Sequence, residues 1–378
     1  MLTGLLDRAT RTEPGLTRPT VTLTFGGPGS DAGGIGGALG AAAAAVGLGG
    51  ATGPGLEAGL VRLRLRRGVA PAVDVAEMLL APVPGGPDLP APSDAGEIAL
   101  TAGDAAASFA CTIDLREARS DGLVRLTATN GGRTLARARL EKSFESQTPG
   151  AIIDALADEA GVTGRAGSGT GDRLPRYLAD EGRSLLDHVA RLAATAGRLA
   201  AFDDAGALIL IDDAAQGGEA VARLAAGETL VDWRIGAREA PGGSVTVDGA
   251  GAADKGGNAW AWLRKEPGPF RAEAGSGPPA RRLPASWARS EAAVGDLAAA
   301  RARAVARAAA QGRFLAIAVP QAVPGAVIEI AGTGTQDGLW LVLSVDLTFD
   351  LAGGMLSEIR AAPAGAAGDG PGLPGGLP

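Results

Sequence analysis

Apolar and polar side chains alternate at period two through the first third of the chain. In PTVTLTF, Val21, Leu23 and Phe25 fall on one face and Thr20, Thr22 and Thr24 on the other. In LVRLRLRR, Val61, Leu63 and Leu65 oppose Arg62, Arg64 and Arg66. This pattern predicts strands with one buried and one wet face. EIAL, SFACTIDL and GLVRLTATN extend it, separated by turn-forming Pro84-Gly85-Gly86-Pro87, Asp121-Gly122 and Asn130-Gly131-Gly132. Residues 17–145 are therefore expected to form an antiparallel β unit behind a short N-terminal arm at 1–16.

The period then changes. In TPGAIIDALADEAGV, Thr148 can cap, Pro149 suits the first helical position, and Ile152, Ile153, Leu156, Ala157 and Ala160 form one stripe that Gly161 ends. SLLDHVARLAATAG repeats the design: Ser184 caps with Asp187 three residues on, Leu185, Leu186, Val189, Leu192 and Ala193 pack, and Gly197 stops the helix. A hairpin follows, RLAAF and ALILI around Asp203 to Gly206, then a strand at 244–247. Residues 249–290 have weak periodicity and read as a loop-rich stretch, with an Ala- and Arg-rich helix over 292–310. FLAIAV, AVIEIAG, LWLVLSVDLTF and MLSEIRA return to strands.

The expected fold class is α+β, mainly β. Two barrel-like antiparallel β units are predicted, at 17–145 and at 198–250 joined with 312–362. A small helical insert occupies 146–197, and a loop-rich insertion with one further helix occupies 251–311. The tail 363–378 is dominated by Gly and Pro and is expected to be disordered.

Composition narrows the function classes. A chain of 378 residues exceeds the usual size of one core, so two or three compact units are expected. The net charge of −7 supplies no basic face for nucleic acid or an anionic membrane, so neither partner is predicted. The single cysteine, Cys111, excludes an intramolecular disulfide and reads as a small buried residue. The N-terminus lacks the basic start and apolar run of a signal peptide, so synthesis in the cytoplasm is expected.

The uncharged stretch at 30–53, SDAGGIGGALGAAAAAVGLGGATG, offers three readings. As a phosphate loop it would use Gly34, Gly36 and Gly40, but the flanking strands need a wet face that a buried parallel sheet does not have. As a membrane span it holds only Ile35, Leu39, Val46 and Leu48 as strong hydrophobes. A mobile loop between two strands is the favoured reading.

Chemistry-bearing residues are sparse. One histidine removes most metal sites and most catalytic triads, and His188 lies on the flank of the second helix's stripe, where packing is the simplest role. The pairs Asp203-Asp204 and Asp212-Asp213 read as turn residues. Arg301, Arg303 and Arg307 read as the wet face of the long helix, and Trp260 and Trp262 as aromatics needing cover, which makes these five the candidate partner interface. No catalytic residue, cofactor or metal is expected, and the chain is read as a non-enzyme.

In their order, EKSFESQTPGAIIDALADEAGVTG, LPRYLADEGRSLLDHVARLAATAGRLAAFDDAGALILI and VPGAVIEIAGTGTQDGLWLVLSVDLTFDLAGGMLSEIRA resemble the baseplate hub proteins of contractile tails. This is the phage late control protein D family, also seen as the N-terminal part of VgrG spikes. The resemblance covers roughly residues 55–362. It implies a homotrimeric ring whose six barrels match a sixfold tail tube and present threefold symmetry to a spike. Its partners would be the tube protein, other baseplate proteins and a separate spike protein, because no further barrel or needle follows residue 362. It places the chain in an assembled phage-like particle, whether virion, tailocin or injection system. The stretch 30–53 matches no motif of that family. Two other readings stand beside it: a cell-wall polymer binding module using Trp260 and Trp262, and a hydrolase using the paired Asp residues.

Overall fold

The computed structural model describes residues 19–26, 55–212, 219–237, 243–250, 270–334 and 337–364. The predicted arm, the stretch 30–53, Trp260, Trp262 and the tail beyond residue 364 lie outside the described residues.

The fold is α+β and mainly β. One twelve-stranded sheet organises it. Six of its strands come from the first part of the chain: Thr20–Gly26 (β1), Leu60–Gly68 (β2), Val75–Leu80 (β3), Ala95–Ala102 (β4), Ala105–Ala118 (β5) and Val124–Thr129 (β6). The other six are Ala222–Ala225 (β12), Leu230–Ala237 (β13), Ala310–Ile317 (β17), Val327–Ala331 (β18), Gly338–Asp350 (β19) and Gly354–Pro363 (β20). The main path runs β1-β4-β5-β6-β3-β2-β19-β20-β17-β13, with β12 and β18 branching from β19.

The two β units are continuous. The second half of β19, Ser344 to Asp350, pairs antiparallel with Gly68 to Arg62 of β2, while its first half pairs with β18. Beneath them lies one shared core, with Leu63, Met78, Ile98 and Phe109 from one unit and Phe314, Ile328, Trp340 and Ile359 from the other. In β2 the alternation buries Leu63 and Leu65 and exposes Arg62, Arg64 and Arg66 as expected. A bulge between Leu60 and Arg62 shifts the phase, so that Leu60 enters the core in place of Val61.

A second module surrounds the helices. Gly131–Arg137 (α1), Pro149–Glu159 (α2) and Leu185–Thr195 (α3) pack around Leu135, Ile153, Leu156, Val189 and Leu192. The Asn130-Gly131-Gly132 sequence read as a turn is the cap of α1, since the Asn130 side chain accepts from Gly132 N at 3.0 Å. Thr148 caps α2, and Ser184 with Asp187 forms the reciprocal capping box of α3. Lys142–Gln147 (β7) and Leu174–Ala179 (β9) form a two-stranded ladder.

The hairpin expected in the second β unit belongs to this module. Arg198–Phe202 (β10) and Leu208–Asp212 (β11) join Gly164–Arg165 (β8) in a separate three-stranded sheet, and Ala200, Phe202 and Leu208 close over the helical stripes. The reason is proximity: the hairpin leaves α3 at Gly197, whose φ of +68° turns the chain back onto the helices.

The expected strand at 244–247 is also elsewhere. Ser244–Gly249 (β14) sits between Arg271–Gly275 (β15) and Ala280–Ala285 (β16), under Glu291–Ala309 (α4). This third cluster contains Val245, Val247, Val294 and Leu297. The stretch read as loop-rich therefore carries two strands. Their inward residues Ala272, Ala274 and Leu283 give little hydrophobic contrast, which hid the alternation. Trp287 packs against both this cluster and the helical one.

Candidate assembly site

The main path of the large sheet has two ends. Among the described residues β1 pairs only with β4, and β13 pairs only with β17 apart from a single bridge between Leu230 and Ala226. A strand at a sheet end presents unpaired backbone N–H and C=O groups, a template for another strand. On β13 this template is apolar as well. Val231, the extra residue at a bulge, is 52% exposed, and Trp233, opposite Phe314, is 39% exposed. Trp233 shares the inner face with Phe314 but stands where the core runs out. The alternation V-D-W-R-I was the sequence signal for this edge, and its single Trp among polar neighbours concealed it.

The wet face is a ladder of ion pairs between neighbouring strands. Arg64 grips Asp346 with two nitrogens, Nε to Oδ1 at 2.9 Å and Nη2 to Oδ2 at 2.5 Å, joining β2 to β19 across the seam of the two units. Arg66 reaches Glu77 at 2.8 Å on β3, and Arg313 reaches Glu358 at 2.5 Å between β17 and β20. Both Arg64 and Arg313 are held above their ordinary pKa, first by these hydrogen bonds and then by the charge of the partner. Exposed pairs of this kind contribute little to stability but fix register.

A buried junction fastens the helical module to the first β unit. Arg67, at the end of β2, is 2% exposed in its side chain. It donates to Asp204 Oδ1 at 2.6 Å, to the Phe202 carbonyl at 2.8 Å and to the Ser108 carbonyl at 3.4 Å, and its Nε stands 3.6 Å from Asp74. Asp74, 1% exposed, accepts from Gly68 N and from the Asn130 amide, each at 2.9 Å. Burial pushes its carboxyl up to about 6, against the pull of Arg67 and these two donors. One guanidinium thus links β2, β5 and the β10–β11 turn.

No family model matches the chain, and no curated protein matches it in sequence. Its fold does have counterparts among solved structures. A 43 kDa tail protein of prophage MuSo2 from Shewanella oneidensis superposes with a TM-score of 0.61 at 13% identity, over 91% of this chain and 98% of that one. A tail protein from Neisseria meningitidis gives 0.60 at 12% identity, over 80% and 92%. An Escherichia coli component of the type VI secretion system, described as structurally similar to the T4 bacteriophage tail proteins gp27 and gp5, gives 0.53 at 11%, over 81% and 73%. The chain shares its fold with phage tail proteins.

Within this tail-protein fold the residues singled out from the sequence take different places. Arg301, Arg303 and Arg307 are half-buried on α4 rather than forming a fully wet face, and burial lowers the pKa of Arg301. Asp203 accepts from Ala207 N at 2.8 Å, as a turn residue should, and also pairs with Arg165 at 2.9 Å. Asp204 does more than turn the chain, because it is the acceptor that Arg67 reaches. Asp212 pairs with Arg198 along β10–β11, and Asp213 lies outside the described residues. Among the described residues no group of three His, Cys, Asp or Glu could hold a metal, and no helix is long and apolar enough to cross a membrane.

His188 is not a boundary residue. It is buried, with Nδ1 2.8 Å from the Tyr177 hydroxyl and Nε2 3.0 Å from the Asp180 carbonyl. A carbonyl only accepts, so Nε2 carries the hydrogen and Nδ1 accepts from Tyr177. Replacing His188 by leucine should cost about 1–3 kcal/mol, since it takes the partner from a half-buried hydroxyl and from a carbonyl. Urea denaturation of His188→Leu beside Tyr177→Phe checks this, and equal stability of His188→Leu and the parent would contradict it.

Proposed function

We propose that this chain is the structural hub of a phage-like contractile tail or injection system, acting through assembly rather than chemistry. The observation that carries the reading is the twelve-stranded sheet, split into two units of six strands that meet at β2 and β19, with a single partner strand for each of its end strands β1 and β13 among the described residues. Three copies would present six such units, matching a sixfold tube while keeping threefold symmetry for a spike supplied by a separate protein. The contact joins different surfaces of successive copies, so it must close into a ring to avoid endless growth. The apolar edge at Val231 and Trp233 is the natural place for that contact, and the tail-protein fold supports the same role.

Light scattering of the purified chain, alone and with its tube and spike proteins, tests the proposal. A mass three times the 37.3 kDa of one chain is expected. Trp233→Glu should shift the population toward monomer without changing the circular dichroism. A monomeric mass in the presence of both partner proteins would refute the ring.

A further inference from the structure

On the wet face of the second β unit three arginines stand side by side on adjacent strands. Arg360 on β20 is the direct partner of Arg313 on β17, and Arg313 is the direct partner of Arg234 on β13. Direct partners share a face, and the strands lie about 4.8 Å apart, so the row spans about 10 Å. Like charges set directly opposite one another destabilise a sheet. Nothing in the row offsets them, because the remaining partner of Arg360 is Ser344 on β19.

The nearest carboxylates lie off the row and are mostly engaged. Glu358 is taken by Arg313, and Asp346 by Arg64. Asp232 reaches Arg234 only at 3.9 Å. Arg360 is exposed and makes no ion pair among the described residues. All three guanidiniums line one open cleft of about 550 Å³, which adjoins at Ser344 and Arg360 a second cleft lined by Arg64 and Arg66. In a chain of net charge −7 this is a local concentration of positive charge in which Arg313 is paired with Glu358, Arg234 is held only loosely by Asp232, and Arg360 has no ion-pair partner among the described residues.

We infer that this row is a docking site for an extended, carboxylate-rich segment of a partner protein. Guanidinium planes grip carboxylates with two nitrogens, as Arg64 already does with Asp346 on the same face. A nucleic acid fits less well. Single strands are held by aromatic platforms, and the cleft lining contains no aromatic side chain. Duplex binding draws its affinity from many phosphate contacts, more than a row about 10 Å long supplies. The segment would lie across the arginine side chains on the face of the sheet, which leaves the backbone edge of β13 to the contact between copies. The inference does not depend on ring formation.

Fluorescence anisotropy with the full chain tests it, using labelled hexaglutamate and a labelled hexathymidylate of similar charge as probes. Hexaglutamate should bind the more tightly of the two. Arg360→Glu should weaken it about tenfold or more, while the same reversal at the remote Arg281 of β16 should change it less than about twofold. Because Arg360→Glu removes a like-charge neighbour, its melting temperature should be unchanged or higher, and Arg360→Gln supplies a milder variant with the same sign. Absence of hexaglutamate binding, equal losses in the Arg360 and Arg281 variants, or tighter binding of the oligonucleotide would overturn the inference. So would a fall in melting temperature in both Arg360 variants, which would make Arg360 a structural residue.

Discussion

Replacing Arg67 by methionine should lower the unfolding free energy by about 3–5 kcal/mol, the range for breaking a buried ion pair from one side. Methionine fills similar volume, so the loss comes from what it leaves behind. Asp74, at 1% exposure, loses the guanidinium beside it, the Phe202 carbonyl loses its side-chain donor, and Asp204 keeps only the Ser108 N–H at 3.3 Å among the described residues. Arg67→Lys should recover part of this, because an ammonium restores the charge but cannot span Asp74, Asp204 and a carbonyl at once. Chemical denaturation with both variants measures the effect, and methionine within about 1 kcal/mol of the parent would show that the guanidinium does not hold the modules together.

Asp74 adds a pH dependence of defined sign. Its carboxyl is pushed up to about 6 by burial, above the ordinary value of an unfolded chain, so the folded state binds the proton more tightly. The contribution of this group to stability is therefore fully present below the ordinary carboxylate value and is lost as pH rises through about 6. In Asp74→Asn that titration is absent. The stability difference, parent minus variant, should fall between about pH 4.5 and about pH 7.5, and a flat difference would contradict the assignment.

Local order was legible where side-chain contrast was high. The Thr-Val-Thr-Leu and Arg-Leu-Arg-Leu alternations marked β1 and β2, and Thr148, Pro149, Ser184 and Asp187 marked the helix starts, because those signals act within a few residues. The partition of strands among sheets was not legible. Arg64 and Asp346 are 282 positions apart, and their pairing depends on how the whole sheet closes. The β10–β11 hairpin has the same alternation whichever core it covers, so its membership was decided by the turn at Gly197 rather than by its own sequence. The Ala-rich β15 and β16 carried too little contrast to be read at all.

The junction left a trace that went unused. Leu63, Leu65 and Arg67 fall in phase on the inward face of β2, so the alternation itself sends an arginine into the interior, where a buried carboxylate must be sought. The partner-interface reading fared differently at each position. Trp260 and Trp262 lie outside the described residues, the three helix arginines are half-buried, and among the described residues Trp233 is an exposed aromatic. A lone Trp in a polar alternation looks like a core residue until the sheet's end is known.

Trp340→Ala should cost about 3–5 kcal/mol, the range for removing a large aromatic from a packed core. The indole is buried at the start of β19 and meets Phe314 edge-to-face, with ring centres 5.1 Å apart and planes at 75°. Gly312 allows this approach, since a Cβ there would stand 2.4 Å from the Phe314 ring and 3.0 Å from the indole. No neighbouring backbone can relax into the space without breaking the pairing of Trp340 with Ile328 and Pro363 on its two sides. The damage should not stay within the second β unit. Trp340 and Phe314 belong to the same core as Leu63 and Met78, and β19 continues past Trp340 into the pairing with β2. Urea unfolding of the variant should therefore remain a single transition for both β units, shifted to lower denaturant with little change in slope. Two separated transitions, with amides of β3 to β6 still protected from hydrogen exchange after the first, would show that the shared core does not couple the two halves.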